Sequence, residues 1–360
     1  YEKLDDINGN YAVRYIATDT RYRLAFVWFT ELDTEQHRDN WGPFGEASKK
    51  MEKVDLWMGK IYDAITRNDT KSPFYVVLFS DHGSYGGAGG IYNQPFYLGR
   101  DFFYKTLKMN VRGPDYTITH LGTDLNAYTY IDNMGRGQAR IFLPLKQSGS
   151  NDWSRPHTLN ELRRYGLGPN RGSVDLIQEL LNIDLSSRNE FPGKVDPHPV
   201  EFVFLKLASN LIGIFKQDGS QAVIHYERRD GKDWYRYIPV ENLSQDAAGK
   251  ISYTATSVRD PFNYFNDPQF HAFNTAQFLR EYHNDNEWLA ATYETDYPEA
   301  VTALVKSLSW NPRLEALAQS QDPDLCLSAK SGWNFRIEDI HGADHGAISK
   351  GALRSTLMFS

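Results

Sequence analysis

The most constraining feature of this chain is an apolar run that stops at a charged pair: Phe74-Tyr-Val-Val-Leu-Phe-Ser-Asp81-His82-Gly83. A continuous apolar run of this length predicts a strand buried on both faces. Delivering Asp and His together at the end of such a strand, before a turn on Gly, is a good way to hold a metal ion. Arg23 to Thr30 is a second apolar run of strand length, ending at Glu31-Leu-Asp33. Between the two runs Met51, Val54, Trp57, Met58, Ile61 and Ile65 recur at helical spacing. Strand, helix, strand predicts a βαβ unit with a right-handed crossover. In a parallel sheet of that kind ligands bind beyond the carboxyl ends of the strands. Those ends carry Asp33 and Asp81-His82, and the intervening helix places both on one edge of the sheet.

Composition narrows the chemistry. At 360 residues the chain predicts two domains, or one large domain with an insertion. A net charge of −7 argues against a nucleic-acid-binding patch, which needs clustered Lys and Arg. No apolar run approaches the ~20 residues that span a bilayer. The lone cysteine, Cys326, excludes an internal disulfide and a thiolate metal cluster. It sits in Asp324-Leu-Cys-Leu-Ser-Ala, which reads as a strand, so it is expected to be a small buried residue. Any metal site must therefore use His and carboxylate.

Beyond Gly83 the glycine-rich Ser-Tyr-Gly-Gly-Ala-Gly-Gly reads as an active-site rim; a phosphate-binding P-loop would need Lys-Ser/Thr after it. From Asp115 the pattern turns to short strands. Runs at Thr117, Leu125 and Arg140 are followed by Phe202-Val-Phe-Leu, Leu211-Ile-Gly-Ile-Phe, Ala222-Val-Ile-His-Tyr and Trp234-Tyr-Arg-Tyr-Ile. Gln217-Asp-Gly-Ser and Arg229-Asp-Gly-Lys have hairpin-turn chemistry. Helices are predicted over Ser173 to Leu181, Ala272 to Tyr282 and Ala300 to Leu308. The predicted fold is α/β: a mostly parallel sheet with helices on both faces. Residues 1–115 and 271–360 form its core, and 116–270 an inserted α+β subdomain.

Three clusters carry chemistry: Asp33-Thr-Glu-Gln-His37, Asp81-His82-Gly83, and His341-Gly-Ala-Asp-His345-Gly346. Singly each is weak, because Asp-x-x-x-His is commonly a solvated surface and His-Gly commonly a turn. All three in this order, two of them at strand ends, are more specific. With Gly42-Pro43 after the first cluster and Thr356-Leu-Met-Phe after the last, they resemble the alkaline phosphatase superfamily. The likeness is greatest to its nucleotide pyrophosphatase/phosphodiesterase branch. Ser328-Ala-Lys-Ser-Gly-Trp and Gly122-Thr-Asp-Leu-Asn-Ala-Tyr are also similar to segments of that group.

The resemblance implies two divalent metal ions. One site would use Asp33, His37 and His345, the other Asp81 and His82. Zn²⁺ is the leading candidate on ligand type, with Mn²⁺ or Ca²⁺ as alternatives. His345 fits the spacing better than His341, which is left as a group behind the ligands or an alternative to one. Paired ions about 4 Å apart suit in-line displacement at phosphorus. The implied function is a two-metal phosphoester hydrolase acting on a small phosphoester. The alternatives are sulfatase or phosphomonoesterase chemistry, or a catalytically silent metal-binding or structural protein on the same fold.

The family also requires a Thr or Ser nucleophile and one more Asp, expected upstream of Tyr1. The missing N-terminal segment, or a partner chain, is therefore expected to cover the sheet edge. Tyr85, Tyr92, Trp153 and Tyr165 could stack a base, although aromatic residues are more often core. Location in an exported compartment, extracellular or periplasmic, is implied only by the resemblance.

Overall fold

The computed structural model describes residues 3–19, 24–38, 45–68, 74–86, 92–113, 117–118, 128–132, 136–147, 150–152, 154–168, 171–308, 322–335, 342–355 and 357–359. It is a mixed α/β structure around a ten-stranded sheet. The strand order is Ile251–Ala255, Lys232–Gln245, Gln221–Arg229, Leu211–Lys216, Val200–Ala208, Leu325–Ala329, Gln138–Phe142, Tyr128–Asp132, Asn110–Arg112 and Thr117–Ile118. Every neighbouring pair is antiparallel except Asn110–Arg112 with Tyr128–Asp132.

The expectation of a mostly parallel sheet is thus corrected. The reason is connectivity. Arg229 pairs with Lys232 around Asp230-Gly231, both at positive φ (48° and 77°). That two-residue turn can only join antiparallel strands. The strand at Leu325–Ala329 lies between Val200–Ala208 and Gln138–Phe142, so strands from 116–270 and from the C-terminal part share one sheet.

Both faces of the sheet are buried because its strands alternate two apolar sets. Phe202, Phe204, Ile212, Ile214, Ile224, Tyr235 and Tyr237 face one core with Trp288, Val301 and Leu304. Val203, Leu205, Val223, Val240, Leu325 and Leu327 face the other, with Leu159, Leu176 and Leu180. Helices thus cover both faces, as predicted. Cys326 is buried in the first of these cores, and burial pushes its thiol up to about 12. The predicted helix over Ala272–Tyr282 is reduced to Thr275–Phe278, capped by the Asn274 side chain, whereas Ala300–Leu308 forms as expected.

The N-terminal portion contains three helices: α1 (Leu4–Thr18), α2 (Glu31–Arg38) and α3 (Glu46–Asn68). The predicted helical stripe of α3 is present, with Val54, Trp57 and Ile61 buried, but Met51 is exposed. The strand predicted over Arg23–Thr30 is not formed. Its described part, 24–30, has no sheet partner among the described residues. Leu24, Phe26 and Trp28 are 73%, 77% and 70% exposed, while Val27 and Phe29 pack against Ile16, Ile61 and Ala64. The run has strand-like alternation with one face packed and the other bare.

Phe74–Phe79 repeats that pattern. Only Val77–Phe79 is a strand, paired antiparallel with Leu357–Phe359, and Tyr75, Val77 and Phe79 are exposed. The prediction of two strands buried on both faces is corrected for these residues, because alternate side chains of both runs remain exposed.

A reciprocal pair of acids ties α1 to α2. The Asp5 carboxylate accepts from the amides of Thr30 (2.7 Å) and Glu31 (3.3 Å). The Glu31 carboxylate accepts in turn from the Asp5 amide at 3.1 Å. Each acid caps the start of the other's helix, where the first N–H groups lack partners. Lys53 of α3 donates to Glu31 (3.0 Å) and pairs with Asp6 (2.8 Å). Burial raises the Asp5 carboxyl above its ordinary range, a shift only partly offset by the two amides. Burial opposes ionisation of Glu31, but Lys53, the Asp5 amide and Lys50 together outweigh it and hold the carboxyl lower.

Asp5→Ala should cost about 1–2 kcal/mol of stability, the usual loss on deleting a helix cap. Asp5→Asn, which keeps an acceptor oxygen, should recover most of it. Urea melting of the three proteins checks this. Equal midpoints for wild type and Asp5→Ala would remove the capping role.

Candidate metal centre

α2 is short, but its charges suit it. Glu31 and Asp33 lie in the first turn and His37 and Arg38 in the last, each sign matching the helix dipole. On a helix, residues i and i+4 share a face. Asp33 and His37 accordingly meet, with His37 Nε2 3.3 Å from Asp33 Oδ1. Asp33, expected at the carboxyl end of a strand, lies instead in the first turn of this helix, and the helix brings it to His37.

Asp81 and His82 follow the Val77–Phe79 strand. His82 Nδ1 lies 2.9 Å from the carbonyl of Gly83. If Nδ1–H donates there, Nε2 is left with its lone pair. That Nε2 stands 3.8 Å from Asp33 Oδ1 and 3.7 Å from Asp81 Oδ1. Gly83 is required at its position. A Cβ there would come within 2.2 Å of the carbonyl oxygens of Gly351 and Arg354.

His345 arrives from the far end of the chain on a backbone that is stitched to three other segments. Asn93 bridges to Gly342, Tyr85 to Asp344, and Arg136 to His345. The Tyr85 amide donates to the Asp344 carbonyl at 2.8 Å, and the Asp344 amide returns to Tyr85 at 3.0 Å. The Ala343 amide donates to the Gln36 carbonyl of α2 at 3.0 Å. His345 Nε2 thereby reaches 3.9 Å from Asp33 Oδ1, and its ring stacks on that of His82 with centroids 3.8 Å apart.

Three imidazole Nε2 atoms thus converge on one carboxylate oxygen. Ligand atoms of Asp33, His82 and His345 all lie within 4.8 Å of one another, a spacing compatible with one shared cation. His37 flanks the group across Asp33, and Asp81 flanks it across His82. The tight trio draws residues from both of the sites that the resemblance implied. His341 lies outside the described residues, as do Trp153 and Gly42-Pro43. Tyr85 and Tyr165 are buried, which favours the core reading for both. Tyr92 hydrogen-bonds Glu190.

The electrostatics suit a cation. Burial opposes ionisation of Asp33, but the hydrogen bond from His37 and the nearby His345 and His82 imidazoles outweigh it and hold the carboxyl low. Burial likewise opposes protonation of His37. Its contacts with Asp33 and Asp344 prevail and raise it to about 9. His345 is pushed down by burial and by His82.

Asp344 is the residue that sequence reasoning missed. Its side chain is fully buried, with Oδ1 3.1 Å from His37 Nδ1 and 3.9 Å from Arg136 Nη1. The Ala343 carbonyl lies 2.9 Å from the same Nδ1. These two oxygens fix the ring so that Nε2 faces Asp33, the usual arrangement behind a metal-binding histidine. The available signal was its place next to His345 in the third cluster.

Gly342 permits the close approach to α2. A Cβ there would lie 2.4 Å from the His37 carbonyl oxygen. Gly342→Ala should therefore force the two segments apart and cost roughly 1–3 kcal/mol, as overpacking does. It should also change the His37 imidazole resonances in an NMR spectrum. A wild-type melting temperature together with unchanged resonances would contradict this packing.

Comparison with known proteins adds one match. Residues 3–118 fit the family model described as type I phosphodiesterase / nucleotide pyrophosphatase. No curated protein and no solved structure matches the chain. The matched stretch contains Asp33, His37, Asp81 and His82, with His345 brought to them by the fold. Residues 3–118, which carry Asp33, His37, Asp81 and His82, are thus similar to the type I phosphodiesterase / nucleotide pyrophosphatase family.

Proposed function

We propose that this protein is a metal-dependent phosphodiesterase that uses two divalent ions, held by Asp33, His37, Asp81, His82 and His345. The observation that carries the reading is the convergence of Asp33, His82 and His345 from three distant parts of the chain, within a fold whose N-terminal third matches a phosphodiesterase family. The donors fit the group. Imidazole nitrogen and carboxylate oxygen suit Zn²⁺, and Mn²⁺ or Ca²⁺ are the alternatives. Bound there, such ions supply Lewis acidity toward a phosphoryl oxygen and neutralise charge on it.

The chain's own residues do the rest. Asp33 stays ionised among the imidazoles and forms the centre of the cluster. Asp344 and the Ala343 carbonyl hold His37 with Nε2 toward Asp33. The Gly83 carbonyl does the same for His82. The His82 and His345 rings stack, so neither can turn without displacing the other. This rigidity keeps the donors in place before substrate arrives, which is how such sites limit reorganisation during reaction.

The reading includes a Thr or Ser nucleophile from polypeptide outside these 360 residues. The bare apolar face supports it. Leu24, Phe26, Trp28, Tyr75, Val77 and Phe79 are exposed on the two runs that lead to Asp33 and Asp81. An additional segment or a partner chain packed there would lie beside the cluster and bury those side chains, each worth about 1.5–3 kcal/mol when fully covered.

Metal analysis and hydrolysis of bis(p-nitrophenyl) phosphate test the activity. Purified protein should carry a divalent metal. His82→Ala and His345→Ala should lose metal and reduce hydrolysis by roughly 10²–10³-fold. Absence of bound metal, with wild-type rates in both variants, would defeat the proposal. Faster turnover of p-nitrophenyl sulfate or of the phosphate monoester would select those alternatives. Metal binding without any hydrolysis would favour the silent protein.

Hydrogen exchange tests the covering segment. In a polypeptide extended upstream of Tyr1, amides of residues 24–30 and 74–79 should exchange more slowly than in the 360-residue chain. Unchanged exchange in both stretches would refute it.

A further inference from the structure

Away from the metal centre an open pocket of about 690 Å³ lies at the edge of the antiparallel sheet, lined by Arg163, Gln221, Glu241, Asn242, Ser244 and Arg259. Its size falls in the ~300–1,000 Å³ range of small-molecule sites. Its wall departs from ordinary strand geometry. In a regular strand only alternate residues face one side. Here four consecutive residues, Glu241 to Ser244, line the same pocket. The cause is a register shift between Glu241 and Ser244 in the pairing with Ile251–Ala255, with Asn242 at a φ of 56°. Bulges of this kind re-aim side chains and are enriched beside functional sites. Leu243, buried, sits at the centre of the bulge, and its amide is taken by Gln221 Oε1 at 3.3 Å. The amide NH2 of Gln221 remains a donor.

The charges are unbalanced. Arg163, at the end of the Leu159–Arg163 helix, and Arg259, after Ile251–Ala255, make no ion pair with a described residue. The Arg163 guanidinium lies 5.9 Å from the centre of the Phe215 ring. The Arg259 guanidinium lies beside Gly219, with Nη1 3.8 Å from where a Cβ would stand. Two guanidinium groups on the wall of one cavity offer their forked N–H donors to a planar or tetrahedral oxyanion. Glu241, Asn242 and Ser244 supply acceptors and donors of the kind that hold hydroxyl groups.

We propose that this pocket binds a small phosphorylated polyol of the sugar-phosphate class. Arg163 and Arg259 take the phosphate, and Glu241, Asn242 and Ser244 take the hydroxyls. None of these residues belongs to the metal centre, so the inference is independent of the proposed activity.

Titration calorimetry with glucose 6-phosphate, glucose and inorganic phosphate tests it on the intact chain. Glucose 6-phosphate should bind more tightly than either fragment and should weaken as salt is raised. Arg163→Gln/Arg259→Gln should reduce its affinity at least tenfold, the loss of about one charge-assisted hydrogen bond. His345→Ala, which removes a metal-centre histidine, should leave it unchanged. Arg259→Gln alone, at an exposed position, should give a smaller loss in the same direction with an unaltered melting temperature. No binding, or binding lost in His345→Ala and kept in the double variant, would overturn the proposal. Glucose or phosphate binding as tightly as the phosphorylated sugar would overturn the ligand class.

Discussion

Asp344 is the point on which the centre depends. Its backbone pairs in both directions with Tyr85, just beyond Asp81-His82. Its carboxylate contacts His37 on α2, and the next residue is His345. One buried side chain and two backbone hydrogen bonds therefore connect all three clusters. Glycine makes this closeness feasible: Gly342 lies against the His37 carbonyl and Gly83 against those of Gly351 and Arg354, with no space for a Cβ at either. Gly137, packed against the His345 carbonyl, completes the enclosure from the third side.

The large antiparallel sheet supports this arrangement from behind. Its strand at Leu325–Ala329 precedes the His345 segment, and the neighbouring strand begins at Gln138, next to Arg136 and Gly137. The site is thus anchored to a strand that is buried along its whole length. On the other side it rests on α2, which is itself held by the mutual caps of Asp5 and Glu31. The two supports differ in kind. The sheet acts through apolar burial, and α2 through buried carboxylates whose amide and lysine partners must all remain in place.

The candidate residues could be named beforehand. Asp33, His37, Asp81, His82 and His345 were singled out by the resemblance, and the structure brings Asp33, His82 and His345 within 4.8 Å of one another. The hairpins of the large sheet were legible as well, since Asp230-Gly231 specifies a turn through local backbone preference alone. The misreadings concern partners. Apolar runs at 24–30 and 74–79 were read as buried strands of a parallel sheet. Burial and pairing depend on what lies alongside, and hydrophobicity does not name the neighbour.

By itself, then, the amino-acid sequence determined which side chains could serve as ligands, the strand alternation and the turns, because these follow from side-chain chemistry and local backbone preference. Tertiary structure alone decided that Asp33, His82 and His345 form the tight group, that Asp344 stands behind His37, and that one face of each N-terminal apolar run is bare. Those facts rest on contacts between residues up to some three hundred positions apart, such as His37 with Ala343. Whether such segments meet is decided by the packing of everything between them.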